Sequence, residues 1–465
     1  MKKLDTQHPD YTAMLKKYEM WEDFYQGGDS VESKKQYMPR HPYETEKQYE
    51  IRQERATYRN HAAPIVTVFS SSVWDTEPIR ELPADLEGYL EDVDRNGTSA
   101  NQFFGSTTDK AASRGVHFVV VDKQKSEAQT KAEEKQEGTR PYFIDVPATN
   151  FLDWGFDDEG ELEYIVIYQS VEISSTAFEG HEYEDQYKLW TRDAWEVWIE
   201  AETKDGKKTV ELKENGVNPL GEIPLAIFQF KKHTEMTGIS CLNDVVSLCK
   251  RVYMRDSELD KSLFDSAVEI ACFFGFESDE LEEFLRSSSA GLRSANTEAS
   301  VNYAAPTGRV FDALEQAIAN DERSIREIAL RMVRPDSKQV ESADSKKEDR
   351  RQLDSQLKRF AQHMSDGETR CWELMAKWMS VKGEISVQYN DDFDTEKMTT
   401  ELARTFNEMR RNKDISRETF WQILVDNDIL RSDFDAAEEA AKIENEARNN
   451  PAFQNFASRL NPVEE

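Results

Sequence analysis

Hydrophobic positions in the second half of the chain recur with the spacing of long helices. Val245, Leu248, Val252, Leu259 and Leu263 stand at steps that are sums of three and four, which predicts one amphipathic helix. Phe311, Leu314, Ile318, Ile325, Ile328 and Met332 predict a second. After a polar loop around Arg334-Pro335-Asp336 come Leu353, Leu357, Phe360, Met364, Gly367, Cys371, Leu374 and Trp378, whose steps alternate four and three throughout. That alternation is the seam of a helix packed along its length. From Asp344 to Met379 such a helix spans about 54 Å at ~1.5 Å per residue. Any long helix in a bundle carries such a seam, so the pattern alone does not name its partner.

The first half is patterned differently. Residues 9–30 predict an aromatic helix (Tyr11, Met14, Tyr18, Trp21, Phe24) stopped by Gly27-Gly28. A helical pattern runs from Glu44 to Asn60, and Pro64 interrupts it before Ile65–Phe69. Asp75 to Pro83 reads as a turn-rich link, and Leu86 to Val93 as another helical pattern. Asn101 to Arg114 is helical again, Gly115 ends it, and His117–Val121 is a buried strand. The polar run between Asp122 and Arg140 is an exposed excursion. From Tyr142 to Phe230 short strands alternate with turns at Asp157–Gly160 and Lys204–Gly206, which predicts an antiparallel meander ending in the strand Leu225–Phe230. Between the two amphipathic helices, 271–305 reads as a compact insert with a short helix near Ser278–Leu285 and a strand at Val301–Tyr303. Glu384–Tyr389 is a strand, and helices follow near 395–412, 416–427 and 434–448, with Ser416 as an N-cap.

Composition narrows the chemistry. The 465 residues include 24 Phe and nine Trp, enough for a substantial core, yet the net charge is −32. Such acidity argues against nucleic-acid binding over the whole surface, which needs clustered Lys and Arg. Cys241, Cys249, Cys272 and Cys371 sit inside apolar patterns without metal-ligand spacing, so reduced core thiols are expected. The N-terminus shows no hydrophobic signal region, and no run approaches the ~18 apolar residues of a membrane span. No Gly-rich phosphate loop and no nucleophile motif is present. Asp92-Val93-Asp94-Arg95-Asn96-Gly97 opens like a calcium-binding loop, but its twelfth position is Phe103 where a bidentate Glu is needed, so a turn is expected. The patch His181-Glu182-Tyr183-Glu184-Asp185 has a single His, too few for a recognisable metal motif. No catalytic residue, cofactor or metal site is expected.

Two amphipathic helices around a small insert, then a polar loop and a rod, describe a subunit that cannot bury both faces of its helices alone. Lateral packing in a ring, a heterologous interface closed by rotation, solves this, with the loop Arg334–Lys347 at the axis.

Several short motifs follow one another along the chain: Trp21…Tyr25-Gln26-Gly27, Tyr37-Met38-Pro39, Tyr49…Arg52…Arg55-Ala56…Tyr58…Asn60 and Asp92…Gly97-Thr98-Ser99…Phe103. Gly115–Asp122, Arg140-Pro141-Tyr142…Ala148-Thr149-Asn150…Trp154, Gly221–Pro224, Asn390–Phe393 and Asp414–Thr419 continue the series over roughly 430 residues. In their order and spacing they resemble the portal proteins (head-to-tail connectors) of tailed bacteriophages.

The resemblance implies a predominantly helical α+β fold of portal type, with wing, stem, clip and crown, forming one subunit of a ring. Its parts would be a wing at 1–239, stem helix 1 at 240–268, a clip at 269–306, stem helix 2 at 307–332, a tunnel loop at 333–343, a spine helix and return strand at 344–393, and a short crown and tail at 394–465. It implies a ring of twelve at one capsid vertex of the virion, assembled in the host cytoplasm, through which double-stranded DNA enters and leaves. The implied partners are the terminase large subunit, the major capsid protein and head-tail adaptor or tail proteins, with no cofactor and no membrane. Arg334, Lys338, Lys346 and Lys347 are the candidate channel residues, basic positions that steady DNA inside an otherwise acidic wall. Another virion ring or adaptor protein is the alternative reading, and an acidic soluble enzyme with a β-meander domain a more distant one.

Overall fold

The computed structural model describes residues 3–124, 138–176, 180–202, 208–266, 270–276, 296–304, 309–333, 343–393 and 400–411, with a few positions between 414 and 442. Two compact units divide the chain, Met1–Asp392 and Phe393–Glu465. The fold is mixed α/β: helices hold more residues than strands, but 14 strands form five sheets among the described residues.

The N-terminal helices begin and end where local chemistry dictates. In α1 (Pro9–Gln26) the His8 ring accepts from Asp10 N, Pro9 fixes the first turn and Gly27 closes the last. After α2 (Asp29–Glu32), α3 (Glu46–Arg55) opens with a capping box between Thr45 and Gln48. It stops five residues short of the expected Asn60. Pro64 begins α4 (Ala63–Val73), and a proline in a first turn loses no hydrogen bond. The helix expected over Leu86–Val93 is a single turn, α5 (Ala84–Glu87), followed by the tight bend at Asp92–Gly97. In α6 (Ala100–Arg114) Ser99 and Gln102 form a second capping box. Gly115 ends it in the left-handed region at φ 85°. A Cβ there would lie 2.6 Å from the backbone of Ile239 and Ser240, so geometry and space both require glycine.

Three strands, β3 (Pro141–Pro147), β2 (Val116–Lys123) and β9 (Leu225–Gln229), form an antiparallel sheet in that order. The meander is the separate sheet β4 (Phe151–Phe156), β5 (Leu162–Thr176), β6 (Gly180–Thr191), β7 (Ala194–Glu202) and β8 (Lys208–Val217). The expected last strand of the meander, β9, therefore belongs to another sheet. The turn Gly221–Pro224 redirects the chain, and β9 pairs instead with β2, from Val116↔Gln229 to Val120↔Leu225. Phe118 on β2 stacks on Phe151 at 4.1 Å, while Phe143 and Phe228 on the other face meet Phe104 of α6. Cover on both faces explains the unbroken apolar run at 118–121.

The remaining helices are α7 (Val246–Ser266), α8 (Arg309–Val333) and α9 (Ala343–Met379). The 37 residues of α9 give the expected rod of about 55 Å. Its described seam is buried inside its own subunit: Leu357, Phe360, Met364, Cys371 and Leu374 all lie in the core. The seam runs over β9, β2 and β3, with Phe360 at 5.0 Å from Phe230 and Trp372 at 5.3 Å from Phe143. The periodicity did not name the partner of this seam; over these residues it is the chain's own sheet. Gly367 is where the helix comes closest, since a Cβ there would sit 2.6 Å from the fully buried Phe228 ring.

One residue further, Glu368 is fully buried in a polar knot. It accepts from Arg80 Nε at 2.5 Å, Trp372 Nε1 at 3.0 Å and Tyr389 Oη at 2.5 Å. Arg80 also donates to Asn101 at 2.6 Å. Burial and the neighbouring Glu368 carboxylate raise the Tyr389 phenol well above its ordinary pKa. The knot fixes β1 (Ile79–Glu81), which lies in the expected link and pairs antiparallel with β14 (Ser386–Gln388), about 300 residues away. In the second unit α10 (Thr400–Arg411) is followed by Ser416, whose Oγ accepts from Thr419 N at 3.0 Å, the expected N-cap. Most of 416–448 lies outside the described residues.

Two substitutions test this packing. Gly367→Ala sets overpacking of about 1–3 kcal/mol against a helix-propensity gain of about 1 kcal/mol. Urea denaturation should therefore show a net loss; a gain would mean that Phe228 has room to move. Glu368→Gln removes the anion from a buried pair and leaves Arg80 uncompensated, so stability should drop by about 3 kcal/mol or more in the same experiment. An unchanged midpoint would show that Asn101 and Tyr389 suffice for Arg80.

Candidate functional site

The segment from Ser240 to the start of α9 is built as a helix pair that runs out of the core. Ser240 anchors its entry: its Oγ donates to Ala112 O and Ser113 O at 3.0 and 2.5 Å and accepts from Leu242 N at 2.9 Å. A turn over 241–245 follows, so α7 starts several residues later than the expected Ser240. Val246, Cys249, Val252, Tyr253 and Ser257 form its buried face. Burial pushes the Cys249 thiol up to about 12 and also raises those of Cys241 and Cys371, as expected of core thiols.

Ion pairs lock the first half of α7 in place. On α8, Asp321 is almost fully buried and receives two arginines one turn apart. Arg251 binds it through Nε at 2.9 Å and Nη2 at 2.6 Å, and Arg255 pairs with it while donating to Ala317 O at 3.2 Å. Arg59 binds Asp256 in bidentate fashion at 2.5–2.9 Å and also reaches Glu322 at 2.9 Å. Arg52, only 2% exposed, joins Glu44 at 2.8 Å and Ser257 at 3.2 Å, tying α3 to α7. Planar guanidinium groups suit such shared carboxylates because their donors match both oxygens.

Beyond Ser257 the cover thins. Leu259 is half-buried, and Leu263 and Phe264 are 46% and 42% exposed although they continue the same stripe. Arg55 covers one side of Phe264 with its guanidinium 4.4 Å from the ring. On α8, Phe311 and Leu314 are half-buried where Ile318 and Ile325 are buried. Between the helices, β12 (Ile270–Phe274) pairs with β13 (Ser300–Ala304), which contains the strand expected at 301–303; Phe274 is 53% exposed. The short helix expected near 278–285 lies outside the described residues.

The four candidate channel residues are only partly placed. Arg334 and Lys338 lie outside the described residues. Lys346 and Lys347 fall in the first turns of α9. The double clamp on Asp321 went unread, although Arg251 and Arg255 stand at the i, i+4 spacing of one helix face.

Other candidates resolve as local structure. Asp94 accepts from Asn96 N at 2.9 Å and from the Thr98 hydroxyl at 2.7 Å, while Asp92 accepts from Gly97 N at 3.1 Å and pairs with Arg140 at 2.6 Å. The carboxylates of the calcium-like sequence are thus engaged by a turn and a guanidinium. Asp157 accepts from Glu159 N and Glu161 N and pairs with Arg192, which makes it the tip of a hairpin. His181 pairs with Glu172 across β5 and β6 at 2.7 Å. Among the described residues no group of three or more His, Cys, Asp or Glu is placed to hold a metal ion. No described helix is long and apolar enough to cross a membrane.

Comparison with known proteins bears on this same segment. The model of a family described as a domain of unknown function (DUF4055) matches residues 241–379, less than a third of the chain but the whole of α7, the hairpin, α8 and α9. No curated protein sequence matches. Among solved structures, the chain is similar to a protein of the "neck of native GTA particle computed with C12 symmetry", at 10% identity and a TM-score of 0.39, over 83% of this chain and 95% of that one. It is also similar to one of the "neck of empty GTA particle computed with C6 symmetry", at 8% identity and a TM-score of 0.37, with the same coverage. Scores below 0.5 make these loose likenesses.

Proposed function

We propose that this chain is a structural subunit of a virion ring and, within that class, a portal protein: a channel at one capsid vertex through which double-stranded DNA is packaged and later ejected. The observation that carries the reading is the pair α7 and α8, locked to the body by buried ion pairs over one half and left with exposed Leu263 and Phe264 over the other, with Phe274 of the hairpin exposed beyond them. An apolar stripe that outlasts its own core calls for a neighbour. A copy beside it, rotated about an axis, would cover the stripe in every subunit at once.

In this reading α7 and α8 are stem helices, the β12–β13 hairpin is the base of the clip, and α9 is the spine that carries the tunnel loop. Arg334, Lys338, Lys346 and Lys347 line the channel. The terminase large subunit docks during filling, and adaptor or tail proteins follow; the major capsid protein surrounds the ring. The order of the portal-like motifs from Trp21 to Thr419 supports the choice of portal within the class. An adaptor ring, the second reading, rests on the same exposed stripe and differs in having no contact with a packaging ATPase.

Native mass spectrometry of the purified chain tests the ring. A species of about twelve subunits is expected, and Leu263→Glu with Phe274→Glu should return it to monomers with an unchanged circular dichroism spectrum. A wild-type chain that stays monomeric at micromolar concentration contradicts the proposal. Changing Lys338, Lys346 and Lys347 together to Glu should impair DNA packaging or retention and leave the ring intact. Loss of assembly instead would make these residues part of the interface. Binding of the terminase large subunit to the ring separates portal from adaptor.

A further inference from the structure

The corner where α6 ends and β2 begins holds more than one neighbour. Phe230 N donates to Gly115 O at 3.0 Å, and Cys241 N donates to Ala112 O at 3.1 Å beside the Ser240 anchor. The end of β9 and the root of α7 therefore both hang from it. Two residues past Gly115 stands His117, whose side chain has no exposed surface. Its Nε2 lies 2.7 Å from Asp145 Oδ1 on β3, and the same oxygen accepts from Lys110 Nζ of α6 at 2.7 Å. Asp145 is ionised: burial pushes its pKa up, but the bonds from His117 and Lys110 pull it well below the usual carboxylate range. An ionised carboxylate only accepts, so the uncharged His117 donates through Nε2 and carries a lone pair on Nδ1. That Nδ1 is buried and meets no hydrogen-bond partner among the described residues.

The charges around the ring already balance. Lys110 faces Asp145. Arg114, also on α6, binds Glu22 of α1 through Nε at 2.7 Å and Nη2 at 2.8 Å. β9 sets Phe228 opposite His117 and contains no titratable residue. On α9, which covers the sheet, Glu368 is held by Arg80 and Tyr389, His363 donates to Gln229 O at 2.8 Å, and Cys371 is a buried thiol with a raised pKa. A proton on Nδ1 would add a third cation beside Lys110 and Arg114, and an N–H with no acceptor. Burial above all holds the His117 pKa below its ordinary value; Arg114 and Lys110 act in the same direction, and Asp145 opposes them.

We propose that His117 is an acid-sensitive latch for this corner: uncharged, it ties β2 to β3 and α6 through Asp145, and when it takes a proton from solvent the corner opens and the root of α7 loosens. The charged ring needs water around it, so protonation and opening occur together. The sign follows from linkage. An opened chain binds the proton below its ordinary pKa of about 6.5, while the closed corner does not. The latch is therefore fully effective above that pH and is lost as the pH falls below it. One copy of the chain is enough for it to work, whether or not rings form.

Two exchange measurements on the full chain test this. Deuterium exchange at the histidine C2 position, read by mass spectrometry, should show His117 still uncharged at pH 5.5 in the native chain. Amide exchange, corrected for its intrinsic rate, should show the protection of Cys241 and Phe230 falling about tenfold between pH 7 and pH 5. Leu189, at the centre of the meander, should keep its protection. In His117→Gln, whose amide can still donate to Asp145 but cannot take a proton, the fall at Cys241 and Phe230 should disappear. Four results would each overturn the proposal: His117 half-protonated at pH 6.5 or above in the native chain, unchanged protection of Cys241 and Phe230 in the wild type, an equal loss at Leu189, or the same fall in His117→Gln. The first three need only the wild-type chain and decide the matter if the variant does not fold.

Discussion

The close approach of α9 to the β3-β2-β9 sheet is the constraint on which the first unit depends. Gly367 lets the helix backbone come down on the Phe228 ring, where any larger residue would meet it at 2.6 Å. That contact sets the height of Trp372 over Phe143 and of Phe360 against Phe230. It also buries Glu368, which then has to be satisfied by Arg80, Trp372 and Tyr389. A buried carboxylate without those donors would cost several kcal/mol, so the knot holds β1, β14 and α6 in one arrangement.

The helix pair α7–α8 draws its position from the same body but is held by charge as well as by packing. Arg52, Arg59, Arg251 and Arg255 each bind a carboxylate that is largely shielded from water. These pairs fix direction where the apolar stripe alone would allow sliding. Past Ser257 only the exposed His41–Glu258 pair and the Arg55 guanidinium over Phe264 tie the helix to the body among the described contacts, and apolar side chains reach solvent. That change along a single helix, more than the length of α9, is the structural reason for proposing a neighbouring copy.

Features coded locally were legible in the sequence. Gly27 and Gly115, the cap at Ser416, the turn at Asp157 and the apolar strand β2 all follow from short-range chemistry. Features that depend on distant partners were not. β1 is three residues long and exists because Ser386–Gln388 comes beside it. β9 looked like the end of the meander because its pattern could not reveal which sheet it joins. The heptad seam of α9 was read correctly as a buried face, but periodicity says that a face is covered and never by what; here the cover is the chain's own sheet. The candidate site was legible as a helix–insert–helix unit, while the clamp at Asp321 depends on a contact between helices some 70 residues apart.

The central claim is that the exposed half of α7 and the hairpin beside it are buried between copies of this chain. Cryo-electron microscopy of the purified assembly tests it most directly. The account predicts closed rings in which Leu263 and Phe274 lie against a neighbour while the seam of α9 stays inside its own subunit. Rings in which those two side chains face solvent, or fields of monomers alone, would contradict it.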